Sequence, residues 1–357
     1  MNARNRLRSS FLLPAILLTL AASACTIVTD EKGDPNARVD KVVVVGTSVT
    51  SALYATGELG LTMVPKDSSD EAVLDSKLRV DVRITSPAEI TTATLGTECT
   101  VPDPSRKSVS IGVIIDDSGS MASSDPKELR KSATVSFLGT LGSDDKVLLA
   151  DYGVTGTHLR DLLCESSQQN GANALESCSP PKASFSADKP ALVKATELIR
   201  SSGGTPLFES CVEMMPLVDS VKDGRRGVLL LSDGRPSSDT KRDECHAAAK
   251  AAQIPVFTVG LGPAAEGDPS VDADAVKVLR ELANDTGGSY ASANDATQLD
   301  NLFRNMGTAL ARGSCKTTFK IADAATKVRP GSKITGEVSV GSRGTTATFE
   351  LIAPEMP

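Results

Sequence analysis

Three separated fragments carry oxygen-donor side chains beside apolar runs. They are Asp116-Asp117-Ser118-Gly119-Ser120, Gly203-Gly204-Thr205-Pro206-Leu207 and Leu231-Ser232-Asp233-Gly234. The candidate ligands among them are Asp116, Ser118, Ser120, Thr205 and Asp233. All five are hard oxygen donors, which suit Mg²⁺, Mn²⁺ or Ca²⁺ and argue against a zinc-type site. Two aspartates balance a divalent cation, and three neutral hydroxyls complete most of an octahedron. One position is left for water or an outside ligand. If one aspartate acts through water, the ion keeps more positive character and attracts a partner's carboxylate. That describes a binding site. No general base or nucleophile accompanies the set, so hydrolysis by the ion is poorly supported. A calcium loop of the EF-hand type is excluded by the missing Gly and terminal Glu spacing. The alternative is that these residues only cap helices and turns, where serine and aspartate are common.

The first and third fragments follow or end short apolar runs, Val109 to Ile115 and Gly227 to Leu231, which read as buried parallel strands. Groups leaving the carboxyl ends of neighbouring strands converge where open α/β sheets bind ligands. The periodicity predicts strands at Ser108–Ile115, Lys146–Tyr152, Gly227–Leu231 and Ile254–Gly260, with a short one at Ser289–Ala291. It predicts helices at Pro126–Thr140, Lys189–Ser201, Pro206–Val221, Thr240–Gln253, Asp272–Asn284 and Ala296–Arg312. Such alternation implies an α/β fold with a doubly wound, mostly parallel sheet flanked by helices.

The Asp-x-Ser-x-Ser motif at Asp116, the distant Thr205 and the later Asp233 resemble the metal-ion-dependent adhesion site of von Willebrand factor type A domains, integrin inserted domains included. The likeness runs from Lys107 to about Arg312. It implies that Asp116, Ser118, Ser120, Thr205 and Asp233 hold the ion, and that the protein binds a partner and is not an enzyme. The partner would be a protein or extracellular macromolecule with an exposed carboxylate. In inserted domains, moving the last helix changes which aspartate touches the metal. Here that helix is Ala296–Arg312, and Cys315 follows it directly.

The segments on either side read as strands. Val42–Val45 and Leu78–Ile84 lie before the central domain, separated by a turn-rich stretch, Pro65 to Glu71. Thr317–Ile321, Lys333–Val340 and Thr345–Ile352 lie after it. Neither flank is long enough for a comfortable core. The expected division is a β-rich flank at 41–98, the α/β domain at 99–315 and a second β-rich flank at 316–357. The two flanks are expected to join into one β-sandwich that carries the α/β domain as an insertion. The alternative is two small β elements packed separately against the centre.

Residues 1–24 read as a secretory signal peptide. Arg4, Arg6 and Arg8 precede an apolar stretch, Phe11 to Leu20, too short to span a membrane. Ala22-Ser23-Ala24-Cys25 resembles a bacterial lipoprotein lipobox, with Ala22 where leucine is usual. This implies lipid attachment at Cys25 in the cell envelope, and Thr26, not Asp, at the next position resembles outer-membrane sorting. Ordinary signal cleavage is the alternative. A polar tether then occupies 25–40. Setting Cys25 aside leaves six of the seven cysteines: Cys99, Cys164, Cys178, Cys211, Cys245 and Cys315. Six permit 15 pairings. Cys164 with Cys178 closes a short polar loop, Cys99 and Cys315 bracket the α/β domain, and Cys211 with Cys245 would remain.

With 357 residues, 40% of them hydrophobic, the chain is of soluble globular composition and holds about two domains. Its formal charge is −7 and becomes −10 once the three signal arginines are removed. No basic stripe for nucleic acid accompanies that charge. Repulsion from anionic lipid leaves the covalent anchor as the only membrane attachment.

The long segment Gly153 to Ala187 begins on the metal face and reads either as a specificity loop or as a stapled surface insertion. His158 and His246 have no nucleophile or ligand cluster beside them in sequence. Gly260-Leu261-Gly262 lacks the third glycine of a dinucleotide fingerprint. Asp125 before Pro126 is expected to cap a helix, and so is the acidic run Glu266 to Asp274. Asp117 is expected to serve its loop, with outer-sphere metal contact as the alternative.

Overall fold

The computed structural model describes residues 37–101, 108–152, 159–168, 178, 185–222, 224–266 and 268–356. The signal peptide, Cys25, most of the tether and His158 lie outside the described residues, as does most of the Gly153 to Ala187 segment. The strands are β1 (Lys41–Ser48), β2 (Glu58–Lys66), β3 (Val80–Ser86), β4 (Thr92–Thr100), β5 (Val109–Ile115), β6 (Lys146–Asp151), β7 (Arg160–Asp161), β8 (Arg225–Ser232), β9 (Val256–Leu261), β10 (Tyr290–Ala293), β11 (Ser314–Ile321), β12 (Lys333–Val340) and β13 (Thr345–Ile352). The longer helices are α1 (Leu129–Thr140), α2 (Leu162–Ser167), α3 (Lys189–Thr196), α4 (Leu207–Ser220), α5 (Arg242–Ala252), α6 (Ala273–Thr286) and α7 (Ala296–Arg312).

A ten-stranded sheet runs β4-β11-β2-β1-β10-β9-β8-β5-β6-β7. From β10 to β6 its neighbours are parallel, and the remaining pairings are antiparallel. Every residue of β5 is buried, because helices cover both faces of the parallel part. Ile111, Val113 and Ile115 face α1, α3 and α7, where Phe137, Leu192, Phe303 and Met306 pack. Ile114, with Leu148, Leu230 and Val256, faces α4, α5 and α6, where Phe208, Met214 and Leu279 pack. The period of two along each strand thus sorts its apolar side chains into two helical layers.

The flanks do meet, but not as a separate sandwich. β12 pairs with both β13 and β3, making a three-stranded sheet from residues on either side of the central domain. The facing layer, β4-β11-β2-β1, is a continuation of the central sheet. β1 reaches β10 at Thr47↔Tyr290. Gly46 permits that approach, since a Cβ there would lie 2.7 Å from the Tyr290 carbonyl oxygen. Ser289 and Thr62 hydroxyls meet across the junction at 2.6 Å. Leu61, Met63, Val82, Phe319, Ile334, Val338 and Phe349 fill the space between the two layers.

β2 and β4 lie in or at the edge of the flank that reads as β-rich, but the sequence pattern singles out neither as a strand. The turn expected from Pro65 starts two residues later, because Pro65 and Lys66 still pair with β1. Pro65 lies beyond the end of the β11 ladder, where a missing N–H costs no sheet bond. β4 is exposed along most of its length, so it has no buried stripe to reveal it. The first long helix starts at Leu129 rather than Pro126, and Asp125 caps it from upstream. Its carboxylate accepts the Leu129 and Arg130 amides at 2.6 and 3.0 Å. Asp272 caps α6 by accepting from Asp274 and Ala275.

Candidate metal centre

β5 and β8 are in register, Ile115↔Leu231, so their next residues leave the sheet side by side. Asp116 is the first residue past β5, and Asp233 the first past β8. The Asp116 N–H still bonds to the Leu231 carbonyl at 3.0 Å. Both carboxylates are fully buried. The Ser118 amide donates to Asp116 Oδ1 at 2.8 Å, which folds the loop back over the sheet end. Ser118 and Ser120 hydroxyls lie 3.0 Å apart, and Ser120 Oγ donates to Asp233 Oδ1 at 2.9 Å. Ser232 Oγ donates to Asp116 Oδ2 at 2.6 Å. The first and third fragments therefore close into one hydrogen-bonded ring.

Thr205 arrives on a segment held at nearly every residue. Arg160 binds the Leu198 carbonyl at 3.1 Å, and Arg130 binds the Arg200 carbonyl and the Ser201 hydroxyl at 2.9 and 2.8 Å. The Ser202 amide donates to the Asp117 carbonyl at 2.5 Å, and Gly119 donates to the Gly203 carbonyl at 3.1 Å. Thr205 itself is clasped by Ser237. The Thr205 amide donates to Ser237 Oγ, and the Ser237 amide donates to the Thr205 carbonyl, both at 2.8 Å. All five candidate residues thus sit on three interlocked loops at one sheet end, with Thr205 tied in through its backbone.

The electrostatics suit a cation. Burial and then the neighbouring Asp233 charge push the Asp116 carboxyl up to about 6, against hydrogen bonds from Ser118 and Ser232. Asp233 Oδ2 is buried without a hydrogen-bond partner. Among the described residues, no lysine or arginine pairs with either aspartate. An orphaned buried carboxylate oxygen, a second carboxylate and a rim of hydroxyls fit a hard divalent ion, and neutral helix caps would not need them.

Asp117 belongs to a different cluster. Its side chain accepts from the Tyr152 amide at 3.2 Å and stands 4.0 Å from Arg160. Burial and then the Asp151 charge push its carboxyl up to about 8, while Arg160 pulls it down. Arg160 also binds Asp151 at 2.5 Å and Glu165 at 3.0 Å. The charged groups that sequence reading missed are Arg130 and Arg160, carried in by α1 and the edge strand β7. Ser232 lies within the third fragment and Ser237 shortly after it, and they gave the nearest legible signal. His246, buried on α5, bonds the Asp285 carboxylate of α6 at 2.9 Å.

The structure joins Cys99 to Cys315, Cys164 to Cys178 and Cys211 to Cys245. Three disulfides mark a protein of an oxidising, exported setting. Among the described residues no helix is long and apolar enough to cross a membrane.

A family model described as the von Willebrand factor type A domain matches residues 110–305. The chain belongs to that family. Its VWA domains generally mediate metal-dependent adhesion or protein binding. Among solved structures, the chain is similar to a von Willebrand factor type A protein from Catenulispora acidiphila, at 14% identity and a TM-score of 0.46. That match covers 77% of this chain and 73% of the other. It is similar to the PilB minor pilin from Streptococcus sanguinis at 12% identity and 0.41, covering 75% and 77%. It is similar to a manganese-loaded TRAP protein from Plasmodium vivax at 15% identity and 0.39, covering 75% and 100%. The search of curated proteins found no match.

Proposed function

We propose that this VWA protein binds a macromolecular partner through a divalent cation held by Asp116, Ser118, Ser120, Thr205 and Asp233. The observation that carries this reading is the pair of fully buried carboxylates without a cationic partner, one with an orphaned oxygen, inside a ring of hydroxyls. A bound Mg²⁺, Mn²⁺ or Ca²⁺ would supply the missing positive charge and an open position for an outside carboxylate. The chain's own residues do the rest. Ser118, Ser120 and Ser232 hold the two aspartates in place, and Ser237 holds Thr205 beside them. The partner is a protein or other extracellular macromolecule with an exposed acidic group, and neither nucleic acid nor catalysis is part of this reading. Attachment to the cell envelope through a lipid on Cys25, at the outer membrane, completes it.

The test is an affinity pull-down from envelope extract with wild type and Asp116→Ala, each with and without chelator. The expected result is a partner recovered by wild type alone and released by chelator. The same partner recovered in all four arms would overturn the reading. A second reading is favoured by the burial of Asp116 and Asp233, which burdens the ion-free fold. In it, the ion chiefly stabilises a structural subunit. That reading predicts that chelator lowers the melting temperature while partner recovery persists wherever the protein remains folded.

A further inference from the structure

Parallel strands bring residues into rows, and one row crosses the metal centre. Ile115 is in register with both Asp151 and Leu231, so Tyr152, Asp116 and Ser232 follow side by side, the first two just past β6 and β5 and the third at the end of β8. Asp116 stands in the middle. On one side, Ser232 satisfies it with a 2.6 Å hydrogen bond. On the other stands a phenol that is 0% exposed, packed in the layer of Leu207, Phe208 and Cys211. Its backbone N–H is engaged with Asp117 at 3.2 Å. Its hydroxyl is buried with no hydrogen-bond partner among the described residues. Ser232 is a loose neighbour of that hydroxyl, short of proper hydrogen-bond geometry, and the Asp116, Asp117 and Asp233 charges all act on the phenol.

Buried tyrosine hydroxyls normally find an acceptor, and an orphan here calls for a missing group. The other two tyrosines are satisfied. Tyr54 donates to the Pro354 carbonyl at 2.6 Å, and Tyr290 to the Ala264 carbonyl at 2.8 Å. We propose that Tyr152 is a positioning residue of the metal centre, whose hydroxyl gains its hydrogen bond only when the cation is bound. The acceptor is then either a water brought by the ion or a carboxylate oxygen turned toward the phenol. The inference rests on the ion-site reading above. It adds a prediction that a purely structural tyrosine would not make. Removing the hydroxyl should spare the ion-free fold and weaken the loaded state.

Tyr152→Phe deletes that one oxygen and keeps the packing. Mature wild type and Tyr152→Phe would be titrated calorimetrically with Mg²⁺ and Mn²⁺, and melted in chelator. The expected result is about tenfold weaker ion binding, the worth of one hydrogen bond to a charged or ion-polarised group. The ion-free melting temperature should stay level or rise, since a buried orphan hydroxyl has been removed. Terbium gives an independent readout, because the chain has three tyrosines and no tryptophan. Tyrosine-sensitised emission should be lost in Tyr152→Phe and kept in Tyr54→Phe. Equal ion affinity in the two proteins would overturn the proposal, as would a loss of affinity matched by an ion-free melting loss. If wild type binds none of the three ions, the ion-site reading itself fails and this inference goes with it.

Discussion

The two ends of the long sheet are built on opposite terms. At the metal end, Asp116, Asp117, Asp151, Glu165 and Asp233 are all buried, and three of them share the single guanidinium of Arg160. At the flank end, the space between the sheets is filled almost wholly by Val, Leu, Ile, Met and Phe, with Cys99–Cys315 joining adjacent strands. Hydrophobic burial stabilises the folded state by roughly 25 cal/mol per Å² of apolar surface, so the flank end contributes stability directly. Uncompensated buried charge does the reverse. The metal end is held in place by its neighbours, and in the proposed reading a cation completes it. On that reading stability and binding belong to different regions of one continuous sheet.

The largest expected effect breaks the metal end. Asp116→Ala or Asp233→Ala should abolish Mg²⁺ or Mn²⁺ binding, at least about a hundredfold, since one carboxylate and three hydroxyls offer too little charge to dehydrate a hard cation. The ion-free form should melt no lower than wild type, because the change removes one of two like charges. Calorimetry and melting in chelator check both halves. Equal affinity in wild type and both variants would remove the assignment. The matched change at the flank is Phe319→Ala. Phe319 is 1% exposed and packs edge-on against Phe349 at 5.9 Å. Its loss should cost about 3–5 kcal/mol of stability while ion affinity, measured below the transition, stays the same.

The Cys99–Cys315 bridge tests whether the regions communicate. The bridge lies just beyond α7, whose movement would matter if the site switched state. The end of α7 has other anchors. Arg225 binds the Leu310 and Ala311 carbonyls, Asn305 binds the Val44 carbonyl at 3.1 Å, and Arg312 stands 3.5 Å from Glu71. A one-turn slide of about 5.4 Å would break all of these. The double change Cys99→Ser, Cys315→Ser should therefore lower stability by about 2–4 kcal/mol and leave ion and partner affinity within about twofold. A large affinity change in a folded protein would show that the disulfide alone holds the helix.

The contrast also explains what could be read in advance. The parallel strands announced themselves as unbroken apolar runs, and Val109–Ile115 is buried at every position. α7 carries a clear helical stripe, Leu299, Phe303, Met306 and Leu310, so its bounds were legible. Fragments at the ends of such strands had to converge, which is why Asp116 and Asp233 could be named together. β4 had no such signal, being exposed on both faces. Its strand exists through pairing with β11. Nor does a pattern announce that β1 will extend the central sheet, since that rests on a single register pair and a close approach at Gly46. At the site, Arg130, Arg160 and Ser237 act through loop carbonyls and amides, and backbone partners leave no mark in residue type.

The smallest effect sharpens the comparison at one hydrogen bond. Ser237 is an exposed residue, yet it grips Thr205 twice, once through its hydroxyl and once through its amide. Ser237→Ala removes only the first. The Thr205 amide is then left to water, and the main-chain bond remains. Because the residue lies outside every apolar layer, global stability should change by less than about 0.5 kcal/mol. Ion affinity should fall by about threefold to tenfold, the worth of one neutral hydrogen bond that fixes a ligand-bearing loop. Ser237→Thr keeps the hydroxyl and should restore most of the loss. Unchanged affinity in Ser237→Ala would mean that the backbone clasp alone positions Thr205. A melting loss as large as that of Phe319→Ala would mean that this loop stabilises the fold, and the division of labour along the sheet would not hold.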